Sequence, residues 1–238
     1  ERAARPFFRR ALDAGISFFD TADMYSLGES ERITGKILGE MAAREEIVVA
    51  TKAYFPMSDR PNMGGLSRKH LVQACEASLE RLGMETIDLY YIHRFDEKTP
   101  IDETLSALDL LVSQGKVRYT GPSAGAAWEF ARAVYLARAH DWPPFIAMQN
   151  HYNLLYREDE REMIPFCLSE GMGSVPYSRL ARGLLAGGRP RSEDTSTVRG
   201  QTDTILAGRY DTENDAEILA AVRAVAEARR VPAAEVAL

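Results

Sequence analysis

The feature that most constrains the fold of this sequence is an alternation of short β-rich segments with longer amphipathic segments. The spacing is about 30 residues, the length of one βαβ unit. Because parallel strands joined by helices use right-handed crossovers, the alternation predicts an α/β protein with a parallel sheet. The predicted strands are GISFFD (15–20), EIVVATK (46–52), IDLYYIH (87–93), VRYTG (117–121), FIAMQN (145–150) and MGSVPYS (172–178).

The helical segments between these strands have recognisable ends. Ser67 is placed to cap a helix that stops at Gly83, and Thr99-Pro100 opens another that runs to Gly115. The last residues, PAAEVAL (232–238), are typical of the start of a further helix. Similar amphipathic segments cover 3–14, 30–43, 126–139, 158–170 and 213–229.

An open doubly wound sheet and a closed barrel both fit this alternation. The phosphate-binding signatures of the open fold, GxGxxG after the first strand or a P-loop, do not occur. We therefore predict a TIM (β/α)8 barrel that forms a single domain over residues 1–238. A barrel of this type needs eight strands and typically about 250 residues. We accordingly expect an incomplete chain in which the first and last barrel strands are not represented.

Composition excludes several classes of function. The net charge is −6 and charged residues of both signs make up 27% of the chain, so no basic stripe is available for nucleic acid. Cys75 and Cys167 have no CxxC neighbour, which argues against a zinc site or a disulfide framework. No apolar segment reaches the roughly 18 residues of a membrane span. We expect a soluble cytoplasmic protein, and nothing in the composition selects an oligomeric state.

On each predicted strand, one mostly apolar face leads to a polar or aromatic residue at the C-terminal end. Barrel enzymes place their chemistry at these ends, where the βα loops meet. A cap or an ion pair explains one such residue, but it does not explain six at matching depth. The pattern therefore favours one shared site formed by Asp20, Lys52, His93, Ser123, Gln149 and Tyr177.

Asp20, Tyr25, Lys52 and His93 together suit the reduction of a carbonyl group. A free tyrosine has a pKa of about 10, and a nearby lysine cation lowers that pKa and makes Tyr25 a usable acid. Asp20 would keep Lys52 charged, and a neutral His93 would hydrogen-bond the substrate oxygen. Because no side chain delivers hydride, the reaction requires a nicotinamide cofactor.

The segments around these residues resemble the aldo-keto reductase superfamily. FFDTADMYSLGESE, VVATK and IDLYYIHRFD are similar to its catalytic segments, and QGKVRYTGPSA, MQNHYNLLYRE and VPYSRLARGLL to its cofactor-contacting strands. The resemblance extends from about residue 5 to 238 and implies a TIM barrel, NADP(H) and reversible reduction of a small-molecule aldehyde or ketone. The HRFD sequence and the TKAYFPM loop point to the branch that resembles aryl-alcohol dehydrogenases.

The resemblance also implies individual roles. Asp20, Tyr25, Lys52 and His93 match the catalytic tetrad of the family. The matching cofactor-binding residues are Ser123 and Gln149 for the nicotinamide carboxamide, Tyr177 for stacking on the nicotinamide ring, and Ser178, Leu180 and Gly183 near the pyrophosphate. For the last three, a plain Gly-rich turn is an equal alternative.

Two departures from the family pattern matter. Ser123-Ala124 replaces the Ser-Asn of many members, so one carboxamide contact is either lost or supplied by Asn150. No segment of the sequence matches the family's basic segment for the 2′-phosphate, so NADP rather than NAD rests on the resemblance.

Other readings are weaker but distinct. The same scaffold occurs in nucleotide-sensing regulatory subunits, which can also keep an intact tetrad. A metal-dependent hydrolase barrel is disfavoured because His70, His140 and His151 have no metal-ligand spacing. His151 either lines the site beside Asn150 or has a hydrogen-bonded structural role. Substrate specificity is expected in loops such as 53–66.

Overall fold

The computed structural model describes residues 1–187, 209–210 and 213–238, which form two compact units. Unit 1 contains Glu1–Met148 and Phe166–Gly173. Unit 2 contains Gln149–Pro165 and Ser174–Leu238.

Unit 1 is built on a four-stranded parallel sheet in the order β1-β2-β3-β4. The register pairs Asp20 with Ala50 and Lys52 with Tyr91, so the C-terminal ends of neighbouring strands meet at one edge. This confirms the predicted α/β class with parallel strands. The strands are β1 (Phe18–Asp20), β2 (Val48–Ala53), β3 (Ile87–Ile92) and β4 (Val117–Pro122).

The predicted helices occur before, between and after these strands. They are α1 (Arg5–Asp13), α2 (Glu29–Met41), α3 (Arg68–Leu82), α4 (Ile101–Ser113) and α5 (Ala127–Ala139), with a 3-10 turn at Arg44–Glu46. All six residues of β3 are buried, as expected for a central strand covered on both faces. No helix among the described residues is long and apolar enough to cross a membrane.

Helix α3 begins and ends where its sequence indicates. The Ser67 hydroxyl accepts a hydrogen bond from the His70 N–H at 3.3 Å, and Gly83 closes the helix in the left-handed conformation at φ 64°. Leu71 and Cys75 are fully buried on the inner face of the helix. Both predicted end signals are thereby confirmed.

Helices α2 and α3 approach each other closely at Gly35. A Cβ atom at this position would lie 2.0 Å from the Leu82 carbonyl oxygen, so only glycine fits. Ile37 and Leu38 follow on α2 and are fully buried. The contact therefore fixes how α2 lies on the end of α3.

The chain continues through β5 (Ala147–Met148), α6 (Met163–Glu170) and β6 (Gly173–Ser174), and β5 pairs with β6. The segment predicted as one helix over 158–170 is instead a 3-10 turn at Glu158–Glu160 followed by α6. Pro165 accounts for the late start, because proline is tolerated only in the first turn of a helix.

Unit 2 also contains a 3-10 segment at Ala181–Ala186 and two helices, α7 (Glu213–Arg229) and α8 (Ala233–Ala237). Its buried apolar cluster consists of Ala181, Leu184, Leu185, Tyr210, Leu219 and Val222. The two helices agree with the predictions for 213–229 and for PAAEVAL.

The order of elements follows the β/α alternation predicted for a (β/α)8 barrel. Hydrogen bonds among the described residues form the four-stranded ladder and the β5–β6 pair but do not close a barrel. The prediction of an α/β barrel-type chain with six visible strands therefore agrees with the structure.

Candidate active site

The four predicted catalytic residues come from the C-terminal side of three neighbouring strands in unit 1. Asp20 ends β1, Lys52 is the penultimate residue of β2, and His93 directly follows β3. Tyr25 lies in the turn after β1. The parallel register explains why residues so far apart in sequence belong to one edge of the sheet.

Lys52 is the centre of this group. Its ammonium nitrogen donates to Asp20 Oδ2 at 2.5 Å and to the Thr21 carbonyl oxygen at 2.6 Å, and its side chain is 0% exposed. Burial lowers the pKa of Lys52, and the charge of Asp20 acts in the opposite direction. The ion pair with Asp20 therefore supports the charged form of a buried lysine.

Tyr25 lies beside this ion pair. Lys52 Nζ is 5.2 Å from the centre of the Tyr25 ring, and Tyr25 is 39% exposed. Three consecutive residues with positive φ follow it, namely Ser26 (50°), Leu27 (50°) and Gly28 (91°). This sharp turn leads into α2 and leaves the phenol partly accessible to a ligand while it is close to the buried cation.

His93 completes the group and packs against two aromatic rings. Its imidazole makes edge contacts with Tyr25 at 5.8 Å and with Phe55 at 5.0 Å. Burial first, and then the charges of Lys52 and Arg94, lower the pKa of His93 to about 3. The imidazole is therefore neutral at physiological pH, and its buried Nδ1 has no hydrogen-bond partner among the described residues.

Tyr91 was not among the predicted site residues. It is fully buried opposite Lys52 in the register, its ring centre is 6.0 Å from Lys52 Nζ, and its hydroxyl has no partner among the described residues. Burial first, and then the charge of Asp20, raise the pKa of Tyr91, which keeps the hydroxyl protonated. A Cβ at Gly121 would lie 2.8 Å from the Tyr91 ring. Tyr91 and His93 are two residues apart and so lie on the same face of the predicted strand, and this spacing was the sequence signal that could have identified Tyr91.

Asp23 was also not predicted, and it forms part of a buried acidic pair. One oxygen of Asp23 accepts from the Met24 N–H at 2.6 Å, and the other has no partner among the described residues. Glu31 is bound by Arg81 at 2.5 Å and by the Thr51 hydroxyl at 2.6 Å. Burial first, and then the charge of Glu31, raise the pKa of Asp23 to about 7.

The predicted cofactor residues are divided between the units. Ser123 lies in unit 1, is buried, and donates its N–H to the Ile92 carbonyl at 2.8 Å. Ala124 after it has a φ of 45°, a conformation that asparagine adopts more readily than alanine. The other five lie in unit 2 and are Gln149, Tyr177, Ser178, Leu180 and Gly183.

Gln149 directly follows β5 and is buried, whereas Tyr177 is half-buried. The Tyr177 N–H donates to the Asn150 carbonyl at 2.8 Å. Asn150, the alternative source of a carboxamide contact, donates from its amide nitrogen to Asp159 at 2.9 Å and accepts from Ser174 at 2.8 Å. Both ends of the Asn150 amide are thus engaged within unit 2.

The segment from Ser178 to Gly183 is a tight turn with several left-handed residues. Ser178 has a φ of 53° and Gly183 a φ of 109°. The Ala181 N–H donates to Ser178 and the Gly183 N–H donates to Leu180, at 2.8 and 2.9 Å. A role near a pyrophosphate remains a prediction for Ser178, Leu180 and Gly183.

The described residues contain no group of three or more His, Cys, Asp or Glu side chains that could hold a metal ion. His70 is buried, and burial lowers its pKa. His140 stacks on Trp142 at 4.4 Å, and His151 stacks on tyrosines of unit 2.

Comparison with known proteins gives a consistent result. A family model described as the aldo/keto reductase family matches residues 1–238. Versiconal hemiacetal acetate reductase of Aspergillus parasiticus is 42% identical, with 100% of this chain and 74% of that protein covered. Aldo-keto reductase AMT2 of Alternaria alternata is also 42% identical, with 100% and 71% covered. AAD16 of Saccharomyces cerevisiae, whose name places it with the aryl-alcohol dehydrogenases, is 40% identical, with 94% and 70% covered.

Proposed function

The chain belongs to the aldo/keto reductase family of oxidoreductases, whose fold is the TIM barrel, and we propose that it reduces aldehydes and ketones to alcohols, reversibly, with NADP(H). The observation that carries this proposal is the buried Lys52–Asp20 ion pair beside Tyr25. Such a group suits proton transfer to a carbonyl oxygen.

Tyr25 is the general acid in this proposal. The hydroxyl of this partly exposed residue gives a proton to the substrate oxygen, and the phenolate that remains is stabilised by the Lys52 cation. Asp20 keeps Lys52 charged despite complete burial of the lysine side chain. In the reverse direction the same phenolate accepts the proton of the alcohol.

His93 aligns the substrate. A neutral imidazole can donate one ring N–H to a carbonyl oxygen, and the lowered pKa of His93, about 3, keeps it neutral. Its edge contact with Tyr25 places the two rings side by side, as is needed for two donors that act on one oxygen. Phe55, which packs on His93, adds an apolar wall that suits an aromatic substrate.

Hydride must come from a nicotinamide cofactor, because no side chain supplies it. The residues present fit such a group: Tyr177 is a half-buried aromatic residue, the type that can stack on a planar ring, and its own ring is held by stacking on His151 at 5.1 Å. Ser123 and Gln149 carry the hydroxyl and amide groups that a carboxamide requires. We assign these three residues to the nicotinamide and Ser178, Leu180 and Gly183 to the pyrophosphate.

We further propose that the protein prefers NADP to NAD, takes aromatic aldehydes as substrates, forms a single domain over residues 1–238 and is cytoplasmic. The similarity to AAD16 supports the choice of an aromatic aldehyde as the first substrate to test.

The test is a steady-state assay with 4-nitrobenzaldehyde, in which consumption of NADPH and of NADH is followed in parallel with and without a chelator. We expect sustained turnover that prefers NADPH and is unaffected by the chelator. Tight NADPH binding without turnover would instead support a nucleotide-sensing subunit. Absence of nicotinamide binding would reject the proposal.

A further inference from the structure

His151 occupies the middle of an aromatic stack in unit 2. Its ring stacks on Tyr156 with centroids 4.2 Å apart and an interplanar angle of 20°, and on Tyr177 with centroids 5.1 Å apart and an angle of 12°. The backbone explains the second contact, because residues 151 and 177 form a parallel bridge and are cross-strand neighbours. The Tyr177 ring is therefore supported by a buried ring rather than by solvent.

Hydrogen bonds fix the orientation of the His151 ring. Its Nε2 lies 2.5 Å from the Tyr210 hydroxyl, and Asn153 Nδ2 donates to the same hydroxyl at 2.9 Å. Asn153 Nδ2, which can only donate, also lies 3.4 Å from His151 Nε2, so this ring nitrogen suits the acceptor role and the Tyr210 hydroxyl then donates its proton to it. The imidazole is then an acceptor at Nε2 and carries its proton at Nδ1.

The surroundings of His151 also keep its imidazole neutral. Burial first, and then the nearby charge of Arg209, lower its pKa to about 4. An uncharged ring can be buried between tyrosines without the cost of desolvating a cation. His151 thus packs as an uncharged aromatic ring, and its hydrogen bond to Tyr210 sets the orientation of the imidazole.

Asn153 connects this stack to the backbone on both sides. Its Oδ1 accepts from the Leu155 and Tyr156 N–H groups at 2.8 and 2.9 Å, and its Nδ2 also donates to the Ser178 carbonyl at 2.9 Å. The turn that carries Tyr156 and the residue that follows Tyr177 are therefore held by one side chain. The backbone next to each of the two rings that stack on His151, Tyr156 and Tyr177, is therefore fixed by Asn153.

We propose that His151 is a positioning residue that holds the Tyr177 ring ready to stack on the nicotinamide, with Tyr210 as the latch that sets the imidazole. This inference rests on the proposed function, which assigns Tyr177 to the nicotinamide. A tyrosine ring immobilised before binding loses less conformational freedom when the ligand arrives. His151 touches neither substrate nor cofactor in this arrangement and acts only through Tyr177.

The test compares two ligands on the same variants by equilibrium titration: NADPH and 2′-phospho-ADP-ribose, which lacks the nicotinamide ring. His151→Leu removes the stacked ring, and His151→Phe keeps a ring while it removes the Tyr210 hydrogen bond. We expect His151→Leu to weaken NADPH binding by about 3- to 10-fold with unchanged affinity for 2′-phospho-ADP-ribose. His151→Phe should recover only part of the lost NADPH affinity, because it restores the stacked ring but not the hydrogen bond to Tyr210.

Each outcome decides a different question. Equal affinity of wild type and His151→Leu for NADPH, or an equal loss for both ligands, would overturn the positioning role and leave the proposed function standing. Failure of the wild-type protein to bind either ligand would reject the proposed function itself. If His151→Leu does not fold, Tyr210→Phe decides, because it keeps every ring: a selective loss for NADPH of about 2- to 10-fold supports the inference, and unchanged affinity overturns it.

Discussion

The ammonium nitrogen of Lys52 lies 2.5 Å from the carboxylate oxygen Oδ2 of Asp20, although the lysine side chain is completely buried. Burial alone would favour the neutral amine, so the charge of Lys52 depends on that of Asp20. The centre of the Tyr25 ring is 5.2 Å from the same nitrogen, so loss of this charge would weaken the electrostatic stabilisation of the Tyr25 phenolate. The ion pair therefore connects an acidic residue on β1 to the proposed proton donor.

Replacement of Asp20 tests this connection. Asp20→Asn removes the charge that opposes desolvation, so the pKa of Lys52 falls further and the lysine loses its proton at a lower pH than in wild type. We expect kcat to fall by at least about 10-fold and the alkaline limb of its pH profile to move to lower pH. Glu29→Gln, which removes the exposed ion pair with Arg32 on α2, is the control and should change neither quantity.

His93 should not titrate in the pH range where the enzyme is assayed. Its pKa of about 3 places the loss of its proton far below pH 5. His93→Asn, which keeps a donor, should therefore lower kcat/KM by about 10- to 100-fold while the shape of its profile between about pH 5 and 8 is unchanged. A wild-type inflection between these values that disappears in the variant would show that His93 is protonated there.

Asp23 should make stability depend on pH with an unusual sign. Its pKa of about 7 in the folded protein exceeds the ordinary value of 3.8, so between these values the folded state binds more protons than the unfolded state. Stability is therefore lost as the pH rises through this window. The charges around it are those of Glu31, which favours the protonated form, and of Arg81 and Lys52, which oppose it.

Asp23→Asn removes this titration. From pH 4 to 8, the unfolding free energy of the variant should rise relative to wild type by on the order of 4 kcal/mol. Urea unfolding of Asp23→Asn and wild type at several pH values measures the difference. Parallel curves for Asp23→Asn would mean that Asp23 ionises normally in the folded state.

Two glycines on α2 should respond oppositely to the same substitution. A Cβ at Gly35 would lie 2.0 Å from the Leu82 carbonyl oxygen, whereas a Cβ at Gly39 meets nothing within 4 Å. We expect Gly35→Ala to destabilise the protein by about 1–3 kcal/mol and Gly39→Ala to stabilise it by about 0.5–1 kcal/mol. Thermal unfolding of the two variants gives the comparison, and a neutral Gly35→Ala would show that the helices do not meet as described.

Local patterns were sufficient to predict much of the fold. The ends of α3 followed from Ser67 and Gly83, because a cap and a left-handed stop are properties of a few adjacent residues. The strands were found by their period, although β5 and β6 are only two residues each, shorter than predicted. The length over which a strand is hydrogen-bonded cannot be predicted from its own sequence, because pairing also depends on the neighbouring strand.

The site was predictable where the strand register decides proximity. Parallel pairing alone brings Asp20, Lys52 and His93 to one edge, and these were predicted. Asp23 and the Tyr210 contact to His151 were not, because they depend on which way a turn directs a side chain and on a contact across 59 residues. Such contacts have no local signal in a single sequence.

The most direct measurement is the activity of Tyr25→Phe, which removes only the hydroxyl that is proposed to give the proton. Cofactor affinity and the unfolding transition are measured on the same preparation to show that the variant is intact. We predict that NADPH binding is retained and that reduction of 4-nitrobenzaldehyde falls by at least about 100-fold. Substantial reductase activity in Tyr25→Phe would show that Tyr25 is not the proton donor.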